Sequence, residues 1–171
     1  MRCRDARLED AAAIASIHVA AWRAAYNDLM PPAYLAALDV DRARGRWEQW
    51  LRTACPVVVV EANAEVVGFC RYGPSRDSGA GPSMGEIVAV NLCPASWRQG
   101  LGRELLLVAI SRLRAAGFTE ADPVGLAWQR ASAAVLRGSG LASRRRRADP
   151  DRAHGVAVAT RCDIGFRWPS D

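Results

Sequence analysis

The chain has 171 residues, half of them hydrophobic and 24% charged, which suits one domain with its own core rather than a disordered or fibrous chain. No apolar run approaches the ~20 residues of a membrane helix, and Glu9 and Asp10 break any leader-like core near the N-terminus, so a cytoplasmic protein with no membrane partner is expected. Five scattered cysteines (Cys3, Cys55, Cys70, Cys93, Cys162) argue against a disulfide framework and against a zinc site, and they read as small hydrophobes.

Residues 2–8 begin a first strand, and Glu9-Asp10 place acids at the positive end of the helix that follows. From Ala11 to about Tyr26, Ile14, Ile17, His18, Ala21, Trp22 and Ala25 recur at helical spacing. Met30-Pro31-Pro32 interrupts, a second helical region carries Tyr34, Leu35 and Leu38, and a third, after Asp39, carries Trp47, Trp50 and Leu51. Pro56 ends it. The β-branched run Val57–Val60 with Glu61 predicts a buried strand, Asn63-Ala64 a tight turn, and Glu65 to Tyr72 the returning strand of a hairpin. Residues 73–85 are rich in Gly, Ser and Pro and read as a loop. Glu86 to Leu92 reads as a strand closed by Pro94. Gly100 to Ala116 reads as a long helix with Leu101, Leu105, Val108 and Leu113 on one stripe, capped by Gly117, with Phe118 packing back.

The informative stretch is Glu86 to Leu107, EIVAVNLCPASWRQGLGRELLL: strand, turn, glycine-spaced loop, helix. Gly100 and Gly102 let backbone approach a ligand closely. Unpaired donors at a helix start, together with the helix dipole, suit a diphosphate, and Arg98 and Arg103 add charge. A GxG spacing alone also fits a ligand-free turn. In context, the segment resembles motif A of the GNAT superfamily of N-acetyltransferases, where an apolar-x-Pro strand end leads into (Arg/Gln)-x-x-Gly-x-(Gly/Ala). Here Trp97 stands at the motif's Arg/Gln position and Cys93 where many relatives have His. The N-terminal run IHVAAWRAAYNDLMPPAYLAAL and the hairpin VVVVEANAEVVGFCRYG also resemble this superfamily, so the likeness covers about residues 2–121.

The resemblance implies an α/β fold, a GNAT-type mixed central sheet flanked by helices, and acetyl transfer from acetyl-coenzyme A (acetyl-CoA) to a primary amine, with no metal. It implies that Gln99, Gly100, Leu101, Gly102 and Arg103, with Arg98, hold the pyrophosphate, and that Val90 and Leu92 offer strand backbone to the pantetheine and thioester. Trp22, Tyr26 and Tyr34 are the candidates for the acceptor wall, each equally readable as a core aromatic. An amine must lose its proton to attack a thioester, so a base or water relay is needed. Glu86 is the candidate base, the alternative being a surface carboxylate at the strand start. The N–H of Leu92 is the candidate oxyanion donor. His18 reads as a packed helix residue and is left outside the site.

The C-terminal third departs from this pattern. All 23 basic residues are arginine, and nine of them face only five acids from Asp122 onward, which carries most of the net charge of +5. No strand, no asparagine-led helix and no tyrosine matching the superfamily is legible after Ala121. Back-translation of Gln129 to Pro150 with a one-nucleotide shift permits a sequence close to the superfamily's fourth helix, which points to a frameshift near Ala121. The expected division is therefore a core over 1–121 and an atypical Arg-rich segment over 122–171, with the C-terminal strands and helix missing or altered. The rival readings are a catalytically impaired acyl-CoA-binding relic and, behind it, a basic nucleic-acid-binding protein built on Arg144–Arg147, a run that a frameshifted GC-rich codon stretch also explains. A missing strand would leave a sheet edge open to pairing in a homodimer.

Overall fold

A computed structural model describes residues 1–76 and 79–123; the expectations for residues 124–171, Arg144–Arg147 among them, lie outside the described residues. Strand β1 (Arg2–Asp5) leads into helices α1 (Ala11–Ala25), α2 (Pro32–Ala36) and α3 (Val40–Arg52). Strands β2 (Val57–Ala62), β3 (Glu65–Pro74) and β4 (Met84–Leu92) follow, then α4 (Leu101–Ala115) and β5 (Glu120–Pro123). The sheet order is β1-β2-β3-β4-β5. Neighbours are antiparallel up to β4, and β5 runs parallel to β4. The mixed sheet with helices on both faces is the α/β architecture expected.

Alternation along β2 divides the valine run between two cores. Val58 and Val60 face α4 and pack with Leu105, Leu106, Ile110 and Leu113. Val57 and Val59 face the other way, against Ile14 and Ile17 of α1 and Trp47 of α3. All four valines are buried, so the run is apolar throughout because both faces of the sheet are covered. Arg4 ties the β1 edge to the start of α1: its guanidinium forks onto Asp10 at 2.7 and 2.9 Å and reaches Glu61 at 2.7 Å.

Local chemistry sets the boundaries. Asp39 caps α3, its Oδ1 accepting from the Arg42 N–H at 2.6 Å. Asn63 and Ala64 turn the β2–β3 hairpin with both φ angles positive, at 52° and 64°, matching the sense of strand twist. Gly117, at φ 90°, ends α4: its N–H bonds Arg114, while the Phe118 N–H reaches back to the Leu113 carbonyl at 3.1 Å.

Two expectations need correction. Strand β4 begins at Met84, two residues inside the segment read as loop, because Gly85 fits closely beneath Leu113 and Phe118 and pairs with Ala121. A fifth strand is also present. β5 pairs Met84↔Glu120 through Ile87↔Pro123 and so crosses the expected boundary at Ala121. Its residues, Glu-Ala-Asp-Pro, have little intrinsic strand preference, and it forms because β4 offers a paired edge.

Candidate functional site

Among the described residues, the pairing of β4 with its parallel neighbour covers the first part of the strand. Pairing with β5 runs only to Ile87↔Pro123, and among the described residues no strand pairs that edge of Val88–Leu92. On the other edge, Cys93 donates to the Val67 carbonyl at 2.8 Å. Backbone groups alternate along a strand, so Val90 and Leu92 turn their N–H and C=O groups to the open edge. One of these is already met: Trp97 Nε1 donates to the Leu92 carbonyl at 2.9 Å.

Beyond Leu92 the chain passes a short 3₁₀ turn (Pro94–Ser96) into the glycine-spaced loop. Arg98 and Gly100 both take positive φ, 61° and 81°, which turns the backbone sharply into α4. No side chain caps that helix at Gly100, and Arg103 and Glu104 donate back to the Gly100 carbonyl. The N–H groups of Leu101 and Gly102 therefore stand in the position of open helix donors, beside the positive end of the dipole. A cleft of about 390 Å³ opens between this loop and α1, lined by Ala21, Ala25, Tyr26, Val90, Asn91, Leu92, Trp97 and Arg98.

The structure brings Val90, Leu92, Arg98 and Tyr26 together at this cleft. Gly100, Leu101 and Gly102 form the adjoining helix start, where the Leu101 side chain is buried in the core, leaving only its backbone for a ligand. Gln99 ties the loop internally, donating to the Ala95 carbonyl at 3.1 Å. Arg103 is exposed and lies 3.8 Å from Glu104. Trp22 does not line the cleft: it is buried and packs in tilted contact with His18 and Tyr26. Tyr34 packs on the cluster of Val19, Trp22, Leu35 and Leu38, and is not among the residues lining the cleft.

Glu86 is no surface carboxylate, with 3% exposure. Its Oε2 accepts from the backbone N–H and Nε of Arg76, and its Oε1 from Nη2, all at 3.1 Å. It stands four residues before Val90, about 13 Å along the strand at roughly 3.3 Å per residue. His18 is buried, and burial with the nearby Arg46 charge lowers its pKa to about 4. Trp47 donates to its Nδ1 at 3.3 Å, so the neutral ring carries its proton on Nε2. The sequence reading passed over Arg76, which sits in a loop-like segment, and Asn91, one polar letter in an apolar strand.

Residues 13–143 match the Acetyltransferase (GNAT) family. The chain belongs to the GNAT family. The match runs past Ala121, the boundary expected from the sequence. The chain is 35% identical over 117 residues to the N-acetyltransferase YuaI of Bacillus subtilis (strain 168), itself uncharacterized; the alignment covers 68% of this chain and 66% of that protein. It spans slightly less than two thirds of YuaI. Two solved GNAT-fold structures are similar. That of yncA from Salmonella typhimurium, with its cofactor acetyl-CoA, is 26% identical, with a TM-score of 0.61, covering 82% of this chain and 78% of the other. A ribosomal-protein-alanine N-acetyltransferase from Brucella melitensis is 25% identical, with a TM-score of 0.60, covering 82% and 83%.

Proposed function

We propose that this GNAT protein transfers the acetyl group of acetyl-CoA to a primary amine in the cleft between α1, β4 and the start of α4. The observation that carries this reading is the edge of β4 at Val90 and Leu92, which no strand among the described residues pairs, leading directly into an uncapped helix start at Gly100. An extended thioester chain needs strand-like backbone partners, and its diphosphate needs unpaired N–H donors. Both lie here in sequence, within one loop of each other. The residues present therefore fit acetyl-CoA as co-substrate, and the solved complex of yncA supports the assignment.

The roles follow from that placement. The N–H groups of Leu101 and Gly102, with Gln99, Gly100, Arg98 and Arg103 around them, take the pyrophosphate. Val90 and Leu92 take the pantetheine and thioester, and a β4 N–H facing the open edge, that of Leu92 or Val90, meets the oxyanion that develops on the carbonyl. Tyr26 walls the acceptor side; Trp22 and Tyr34 act only by packing behind it. In the reaction an N–C bond forms and the C–S bond breaks, with its electron pair leaving on sulfur. The amine proton passes to Glu86 along a chain of several waters, since about 13 Å of strand separates Glu86 from Val90 and Glu86 does not line the cleft. A carboxylate has about four acceptor positions, and Arg76 fills three of those on Glu86, which leaves one on Oε1 for the last water of that chain. The thiolate takes its proton from solvent, since a thiol of pKa about 8.5 leaves readily near neutral pH.

The test is direct. Purified protein is mixed with acetyl-CoA and a panel of primary amines, and free thiol release is followed alongside the mass of each amine. A gain of one acetyl group matched to thiol release supports the reading. Thiol release with no acetylated amine identifies hydrolysis instead.

A further inference from the structure

One polar side chain in the cleft has no hydrogen-bond partner among the described residues. Asn91 lies directly across from Phe69 on β3, and Phe69 packs into the core under α1 and α3. Cross-strand partners share a face, so the Asn91 side chain rises on the α1 side of the sheet. Its neighbours on that face of β4, Ala89 and Cys93, pack against the same core. Asn91 instead lines the cleft, half-buried, opposite Ala21, Ala25 and Tyr26. No hydrogen bond is formed by its carboxamide among the described residues.

A half-buried amide between apolar strand residues gives up part of its hydration without return unless a ligand supplies a partner. The two alanines of α1 stand one turn apart and leave space above it. The adjoining residues, Val90 and Leu92, aim their N–H groups along the open edge where the thioester is placed. An amine seated on Asn91 therefore stands over the bond it is to attack.

We propose that Asn91 is the acceptor-binding residue of this transferase, its Oδ1 accepting an N–H of the amine and so directing the nitrogen lone pair at the thioester carbonyl. The inference rests on the acetyl-transfer reading above and deepens it. An amide carries no charge, so it selects by hydrogen-bond geometry, and its oxygen keeps hold of the amine through an N–H after the proton is lost. The described lining of the cleft includes no carboxylate to pair a second positive charge. The acceptor class is thus a primary monoamine on an apolar or neutral body rather than a polyamine.

Three acceptors test this: benzylamine, a tripeptide beginning with alanine, and spermidine. Wild type is compared with Asn91→Leu, which keeps the volume and removes the hydrogen bond, and with Asn91→Gln, which keeps an amide. Steady-state kinetics are paired with calorimetric binding of each amine to protein saturated with unacylated CoA, and melting curves confirm folding. The expected result is an acceptor KM and an acceptor Kd raised about tenfold in Asn91→Leu, partly restored in Asn91→Gln, with the KM for acetyl-CoA unchanged and spermidine the poorest acceptor. An acceptor KM within twofold of wild type, an equal shift in the acetyl-CoA KM, or a preference for spermidine overturns the inference while leaving the transferase reading standing. Amine binding that depends on Asn91 without turnover sinks the transferase reading and, with it, the acceptor role, leaving Asn91 an amine-binding residue only. No binding and no turnover with any of the three sinks both.

Discussion

The indole Nε1 of Trp97 donates to the carbonyl of Leu92 at 2.9 Å, joining the glycine-spaced loop to the last residue of β4. Trp97 stands where the motif has Arg or Gln, and the structure gives it a different task. It satisfies one strand carbonyl on the open edge and sets the distance between the strand and the start of α4. Trp97→Phe keeps the ring and removes the donor. A hydrogen bond of this kind is worth about 0.5–1.5 kcal/mol, so CoA affinity is expected to fall about 3- to 10-fold. Titration calorimetry with CoA measures this, and wild-type affinity in the variant would remove the loop-positioning role.

Glu86 and Arg76 give a second prediction. Glu86→Gln keeps the shape and an acceptor oxygen for Arg76 but cannot take the amine's proton. The expected kcat falls about 10²- to 10³-fold with the acetyl-CoA KM unchanged. Arg76→Met leaves a buried carboxylate without its counter-charge. Because Arg76 keeps some solvent, the stability loss is about 2 kcal/mol, below the ~3–5 of a fully buried pair. A Glu86→Gln enzyme with wild-type kcat would assign the pair to structure alone.

His18 makes stability depend on pH. The folded ring, buried among Trp22, Trp47 and Phe69, has its pKa lowered to about 4 from 6.5. Between those values the unfolded chain binds a proton that the folded chain does not. Stability is therefore highest above pH 6.5 and declines as pH falls towards 4, by about 3 kcal/mol over that window. Urea unfolding of wild type and His18→Phe at pH 7.5, 6 and 5 isolates the effect. Parallel losses in both proteins would contradict it.

Gly68 is a packing requirement. A Cβ added there would collide with the Leu92 side chain and come within 3.1 Å of the Asn91 carbonyl oxygen and of Val60. Val60 and Leu92 are both buried, so neither yields freely. Gly68→Ala is expected to cost about 1–3 kcal/mol and to lower Tm by several degrees, with weaker CoA binding because Leu92 borders the cleft. An unchanged Tm in a thermal melt would show that the strand pair relaxes without cost.

Much of this molecule could be read without coordinates because the signals are local. The 3.6-residue stripes of α1 and α4, the valine run of β2, the paired left-handed residues at Asn63 and Ala64, and Gly117 with Phe118 behind it each act within a few residues. The glycine-spaced loop belongs with them, since a helix start and two glycines form one continuous segment. What only the tertiary structure decided are relations across space. β5 has weak intrinsic preference and exists because β4 offers it a paired edge. Met84 and Gly85 join β4 because Leu113 and Phe118 lie over Gly85. Trp22 and Tyr26 are both aromatic and one helical turn apart, yet packing buries one and leaves the other at the cleft. Glu86 is in Arg76's grip and Asn91 has no partner among the described residues for the same reason: hydrogen-bond satisfaction depends on what the fold brings near, and sequence spacing does not record that.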